Sequence, residues 1–220
     1  AGYEVILVSS GAVGMGMGKL QLRQRPKELS LKQAAAAVGQ CELMYTYDKL
    51  FSEYNHTVAQ ILLTAEDVKD DERRNNFINT MERLIELGVL PIINENDTVA
   101  TSELVIGDND TLAAIVAKSI NADLLILLSD IDGLFTADPR KDPNAKLIPK
   151  IEKITPEVEA LAGGSSSNVG TGGMITKIRA AQITVQNGCD MVIANGKNPE
   201  LLYDIIDGRD IGTRFIGERK

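Results

Sequence analysis

Val89-Leu90-Pro91-Ile92-Ile93-Asn94-Glu95-Asn96-Asp97 is the stretch on which the fold turns. Its first five residues form a continuous apolar run, the pattern of a parallel strand covered on both faces. Its last four are abruptly polar. Toward the amino terminus, Asp70 to Leu87 reads as a helix, with acidic residues in its first turn and Gly88 as its stop. Apolar runs of the same kind recur at Glu4 to Val8, Thr57 to Leu63, Asp123 to Leu128 and Asp190 to Ala194. Ser30 reads as the N-cap of an Ala-rich helix running to about Tyr54, and a glycine loop near Gly170 leads into a helix running to about Asn187. The alternation predicts an α/β fold, a three-layer αβα sandwich with a mostly parallel central sheet. Ligands then belong beyond the carboxyl ends of the strands, where Asn94 to Asp97 lie.

With 220 residues, 44% hydrophobic and 25% charged, the chain can bury one substantial core, so a single domain over 1–220 is expected. A net charge of -8 argues against a nucleic-acid partner, which calls for a basic stripe. The two cysteines, Cys41 and Cys189, give neither a disulfide framework nor metal-ligand spacing, and both read as buried thiols. No apolar run approaches the ~18 residues of a membrane span, and the opening residues lack the basic flank of a signal peptide. A cytoplasmic protein is the expectation. Thr136 to Lys150, with three prolines, reads as an exposed excursion or hairpin.

Four segments carry candidate chemistry. Ser9-Ser10-Gly11-Ala12, followed by Gly14, Gly16 and Gly18, ends the first strand with glycines that let backbone N–H groups approach a carboxylate or phosphate; a flexible turn also accounts for them. Asn94 to Asp97 and Gly107-Asp108-Asn109-Asp110-Thr111 gather short amides and carboxylates, the groups that recognise an amino acid's ammonium and carboxylates. Helix capping explains one such residue but not seven. Ser129-Asp130-Ile131-Asp132-Gly133 again follows an apolar strand, and a turn accounts for it without a ligand. Gly170 to Lys177 joins a glycine loop to a helix, where free N–H groups can take a polyphosphate. Lys177 lies one turn in, a poor place for a cation unless an anion is near. His56 has no partner in sequence for a triad or a metal site, and no metal ligand is assigned.

Taken together these segments resemble the amino acid kinase family, in order and over nearly the whole chain. The marks are V-S-S-G-A-V at 8–13, I-N-E-N-D-T-V-A-T at 93–101, G-D-N-D-T-L-A-A at 107–114 and G-T-G-G-M-I-T-K at 170–177. Within the family the likeness is to members that act on glutamate; those acting on N-acetylglutamate, aspartate, carbamate or UMP as a rule lack the paired N-E-N-D and G-D-N-D segments. The resemblance implies that Ser10, Gly11, Ala12, Asp97 and Asn109 hold L-glutamate. It implies that Ser129, Asp130, Thr171, Gly172, Gly173, Met174, Ile175, Thr176 and Lys177 hold ATP, with Mg²⁺ bridging the phosphates. Lys177 would neutralise charge on the transferring group, and Asp110 would orient that lysine rather than act as a base.

The implied reaction makes L-glutamyl 5-phosphate from the γ-carboxylate of glutamate, the first step of proline biosynthesis. Feedback binding of proline and a homo-oligomer are further expectations from the resemblance. The family pattern opens with a strand carrying a lysine and a Gly-Ser phosphate loop. Relative to that pattern the domain is expected to be amino-terminally truncated and the 220 residues to have little activity alone. Ser129 stands where threonine is frequent, and no RNA-binding-like domain is expected after the last strand. Another amino acid kinase of this fold, or a non-catalytic amino-acid sensor, are the competing readings. Retention of both Lys177 and Asp110 argues against the sensor.

Overall fold

A computed structural model describes residues 2–100, 108–162 and 173–219. The chain divides into two compact units, Ala1–Asn109 and Asp110–Lys220. The first holds strands β1 (Leu7–Val8), β2 (Val58–Leu63) and β3 (Leu90–Glu95) in the order β1-β3-β2, all parallel. The central place of β3 agrees with its sequence, since a strand flanked on both edges and faces favours apolar side chains along its middle, and Ile92 and Ile93 are fully buried. The first strand is shorter than its apolar run: Tyr3 and Val5 are exposed, and only Leu7 and Val8 pair with β3.

Helices α1 (Ala12–Lys19), α2 (Leu29–Ser52), α3 (Ala65–Lys69) and α4 (Asp71–Glu86) complete this unit. Asp70 caps α4 by accepting from Arg73 N at 2.9 Å, and Gly88 leaves the helix at φ 69°, as the sequence predicts. Three features differ from the sequence reading. Ser30 is not an N-cap; α2 begins at Leu29, and the Ser30 hydroxyl donates to the Glu28 carboxylate. Cys41 is exposed on α2, whereas Cys189 is buried, its thiol pushed up to about 11 by burial and then by the charge of Asp190. Most importantly, Gly14, Gly16 and Gly18 lie inside α1 rather than in a ligand-cradling turn. Gly16 is there for packing: a Cβ on it would fall 1.8 Å from the Ala35 carbonyl oxygen, and one on Gly39 would fall 1.7 Å from that of Ala12. The two glycines let α1 and α2 cross at backbone contact.

The second unit holds β4 (Leu124–Ser129), β5 (Lys150–Ile151), β6 (Asp190–Asn195) and β7 (Thr213–Phe215) in the order β4-β6-β7-β5. Pairs β4–β6 and β5–β7 are parallel and β6–β7 is antiparallel. Helices α5 (Asn109–Ser119), α6 (Pro156–Ala162), α7 (Met174–Val185) and α8 (Leu201–Ile206) bring the helices among the described residues to eight. The α/β class with parallel-dominated sheets is as predicted. The excursion 136–150 is hairpin-like, with Phe135 bridged antiparallel to Leu147 and Thr136 N bonded to Lys146 O at 2.9 Å. Buried Thr213 anchors its base, accepting from Leu134 N at 2.8 Å and donating to Ile148 O at 2.7 Å.

Candidate active site

In the first unit the carboxyl ends of β1 and β3 are neighbours, tied by Ser9 N to Ile93 O at 2.8 Å. Gly11, at φ 108°, takes a conformation that L side chains rarely adopt. It turns the chain from Ser10 straight into α1 and leaves Ser10 and Gly11 exposed ahead of buried Ala12. Asn94 and Glu95 are the last two residues of β3 rather than residues beyond it; Asn94 Nδ2 donates to Gln40 Oε1 at 2.9 Å, while Asn94 Oδ1 accepts from Glu95 N at 2.9 Å. Asn109 Nδ2 donates to Ser9 O at 2.8 Å and lies 3.3 Å from Asn94 Oδ1. Ser9 Oγ meets Tyr47 Oη at 2.8 Å. These bonds join four segments separated in sequence, at Ser9, Gln40 to Tyr47, Asn94 to Glu95 and Asn109, into one polar network, which fixes side-chain positions because breaking a link leaves a buried group unpaired. Asp97 stands two residues past β3, its Oδ1 3.5 Å from Lys32 Nζ.

The second unit gathers a different set. Gly173 precedes α7, whose first turn is Met174 to Lys177. Lys177 Nζ pairs with Asp110 Oδ2 at 2.9 Å, the two side chains only 10% and 19% exposed. Thr176 Oγ1 is 2.7 Å from Asp110 Oδ2 and 2.8 Å from Gly173 O, within reach of either with its one proton. The aspartate offsets the cost of a cation at the positive end of the helix. A pocket opens beside the pair, its wall including Ser129, Asp130, Phe135, Arg140, Met174 and Lys177. Ser129 is the last residue of β4, and Asp130 lies 3.8 Å from Arg140.

The family model for the amino acid kinase family matches residues 1–195. The chain belongs to the amino acid kinase family. It is 52% identical to the glutamate 5-kinase of Clostridium perfringens over 99% of its own length and 82% of that protein. It is equally 52% identical to the glutamate 5-kinase of Listeria monocytogenes over 100% of its own length and 81% of that protein. Among solved structures, carbamate kinase from Giardia lamblia bound to AMP-PNP superposes with a TM-score of 0.67 at 19% identity, covering 99% of this chain and 86% of the other. Uridylate kinase from Archaeoglobus fulgidus gives 0.59 at 18%, covering 96% and 84%. At such identities the structural likeness establishes the amino acid kinase fold alone.

Of the residues singled out in the sequence, Asn109 is bonded to Ser9 and Asn94 at the end of β3, and Ser10, Gly11 and Ala12 follow directly after Ser9, whose N–H is bonded to Ile93 O. Ser129, Asp130, Gly173, Met174 and Lys177 share one pocket, and Asp110 holds Lys177. Ile175 is half-exposed on α7. Thr171 and Gly172 lie outside the described residues. Sequence reasoning did not single out Gln40, buried in a helix, or Lys32. A signal for Lys32 was present: it is the fourth residue of α2, as Lys177 is of α7, and the same helix-dipole argument applies to both.

Proposed function

We propose that this chain is an ATP-dependent kinase of the γ-carboxylate of L-glutamate, acting in proline biosynthesis. The observation that carries the phosphoryl-transfer reading is the buried Lys177–Asp110 pair at the start of α7, opening on a pocket that also holds Ser129 and Asp130. The substrate reading rests on relatives about half identical over nearly the whole chain and named glutamate 5-kinase. Ser10, Gly11, Ala12, Asp97 and Asn109 are assigned to glutamate. Ser129, Asp130 and 171–177 are assigned to ATP, and 1–220 is taken as one kinase domain.

A γ-carboxylate is already ionised at pH 7 and needs no base. One of its oxygens attacks the γ-phosphorus, the bond to the β-phosphate oxygen breaks, and ADP leaves. Lys177 stabilises the charge that accumulates on the transferring group, and Asp110 holds Lys177 in place. ATP brings Mg²⁺ on its phosphates, a mode that needs one or two carboxylates rather than a protein cage. Among the described residues no group of three or more His, Cys, Asp or Glu stands together as a cation site. No helix among them is long and apolar enough to cross a membrane. Feedback binding of proline, a homo-oligomer and a cytoplasmic location complete the proposal.

ADP release by the full-length protein with a panel of amino acids tests it. Turnover should depend on glutamate and be far slower with aspartate or N-acetylglutamate. ATP hydrolysis indifferent to glutamate, or a preference for another acceptor, would overturn the substrate assignment.

A further inference from the structure

The glutamate reading leaves Lys32, the cation beside Asp97, without a role. Lys32 sits in the first turn of α2 (Leu29–Ser52), where the helix dipole disfavours a cation, and its side chain is only 34% exposed. Its ammonium is directed at Asp97 Oδ1, 3.5 Å away. The next residue ties the same two segments together, Gln33 Nε2 donating to Ala100 O at 3.2 Å. The start of α2 is therefore held against the turn after β3 whether or not Lys32 and Asp97 are paired.

A lysine ammonium and the α-ammonium of an amino acid are the same chemical group, so Lys32 occupies the partner that an incoming substrate ammonium would claim. An α-amino acid carries its ammonium and α-carboxylate on one carbon. When the ammonium takes Asp97, the carboxylate arrives beside the displaced lysine, and opposite charges meet twice. Resting on the glutamate reading, we propose that Lys32 binds the α-carboxylate of the substrate, so that Lys32 and Asp97 read the zwitterion together and leave the γ-carboxylate free to react. Because the α-carboxylate does not change in the reaction, this contact stabilises ground state and transition state alike and acts on KM rather than kcat.

The test compares glutamate with its α-carboxamide analogue, which keeps the ammonium and γ-carboxylate but loses the α-charge, in the full-length protein and in Lys32→Met and Lys32→Gln. The expected loss in kcat/KM for glutamate is roughly tenfold to a hundredfold, the range for a charge-assisted hydrogen bond. The kcat at saturating glutamate and the KM for ATP should stay near wild type, which also shows that the variants fold. For the analogue, turnover or competitive inhibition should change by less than about threefold against that loss, and Lys32→Arg should restore most of the discrimination. Equal losses for glutamate and the analogue would mean that Lys32 only positions Asp97, and would overturn the proposal. Unchanged glutamate kinetics would overturn it as well, leaving a surface ion pair. Wild-type protein without glutamate-dependent turnover would instead overturn the substrate reading itself, and this assignment with it.

Discussion

Each unit contains a lysine as the fourth residue of a helix, paired with an aspartate supplied by a segment distant in sequence. The two pairs are built differently. Lys177–Asp110 is short, at 2.9 Å, almost wholly buried, and braced by Thr176. Lys32–Asp97 is longer, at 3.5 Å, with the lysine one-third exposed. A buried, tightly bonded charge cannot be exchanged cheaply, which suits a lysine that must meet a transition state without reorganising. A looser, partly solvated pair can open and accept a zwitterion in its place. The contrast separates a lysine that acts on kcat from one that acts on KM.

The sharpest way to break the contrast is at Lys177. Lys177→Ala should lower kcat by roughly 10² to 10³, as losing one preorganised charge donor does, measured as steady-state ADP release. A variant within about threefold of wild type would remove Lys177 from the chemistry and leave the two pairs with no functional difference.

Asp97 and Asn109 sharpen the other side. Each loses a partner for a buried substrate group, at about 1 to 3 kcal/mol. Asp97→Ala and Asn109→Ala should therefore raise the KM for glutamate by roughly fivefold to 150-fold while leaving that for ATP nearly unchanged. Weakened ATP binding alone would show that the first unit's polar network serves the nucleotide instead.

The smallest effect is expected at Asp67, an aspartate whose partners serve folding alone. It closes a capping box at the start of α3, accepting from Thr64 N at 2.7 Å, and it pairs with Arg73 at 3.0 Å. Burial pushes its carboxyl up, but the hydrogen bonds of Thr64 and the nearby Arg73 outweigh that and hold it below the ordinary 3.8. Its contribution is thus fully present above the unfolded value and is lost as pH falls through the lower folded one. Asp67→Asn should cost about 0.5 to 2 kcal/mol near neutral pH and almost nothing near pH 2, read by chemical denaturation at the two pH values. Turnover should be untouched; a change in KM for glutamate would extend the substrate site to α3.

Much of the molecule was determined by the sequence itself. Continuous apolar runs ending in polar clusters set the parallel strands and put the candidate ligand groups at their carboxyl ends, because the covered middle of a strand favours apolar side chains and polar ones gather at its end, where they can find hydrogen-bond partners. Acidic first turns and Gly88 set α4, since these signals are local. Tertiary structure decided the rest. Glycines 14, 16 and 18 carry no local mark that separates a ligand loop from a helix, and only the close crossing of α1 and α2 shows that Gly16 serves packing. The absence of disulfide or metal-ligand spacing makes Cys41 read as a buried thiol, but it says nothing about which face of α2 is covered, and Cys41 is exposed. Lys32 and Asp97 lie 65 positions apart, and nothing along the chain joins them. What joins them is the register that sets β3 among its neighbours and the tether from Gln33 to Ala100, so which lysine meets which aspartate is a property of packing rather than of pattern.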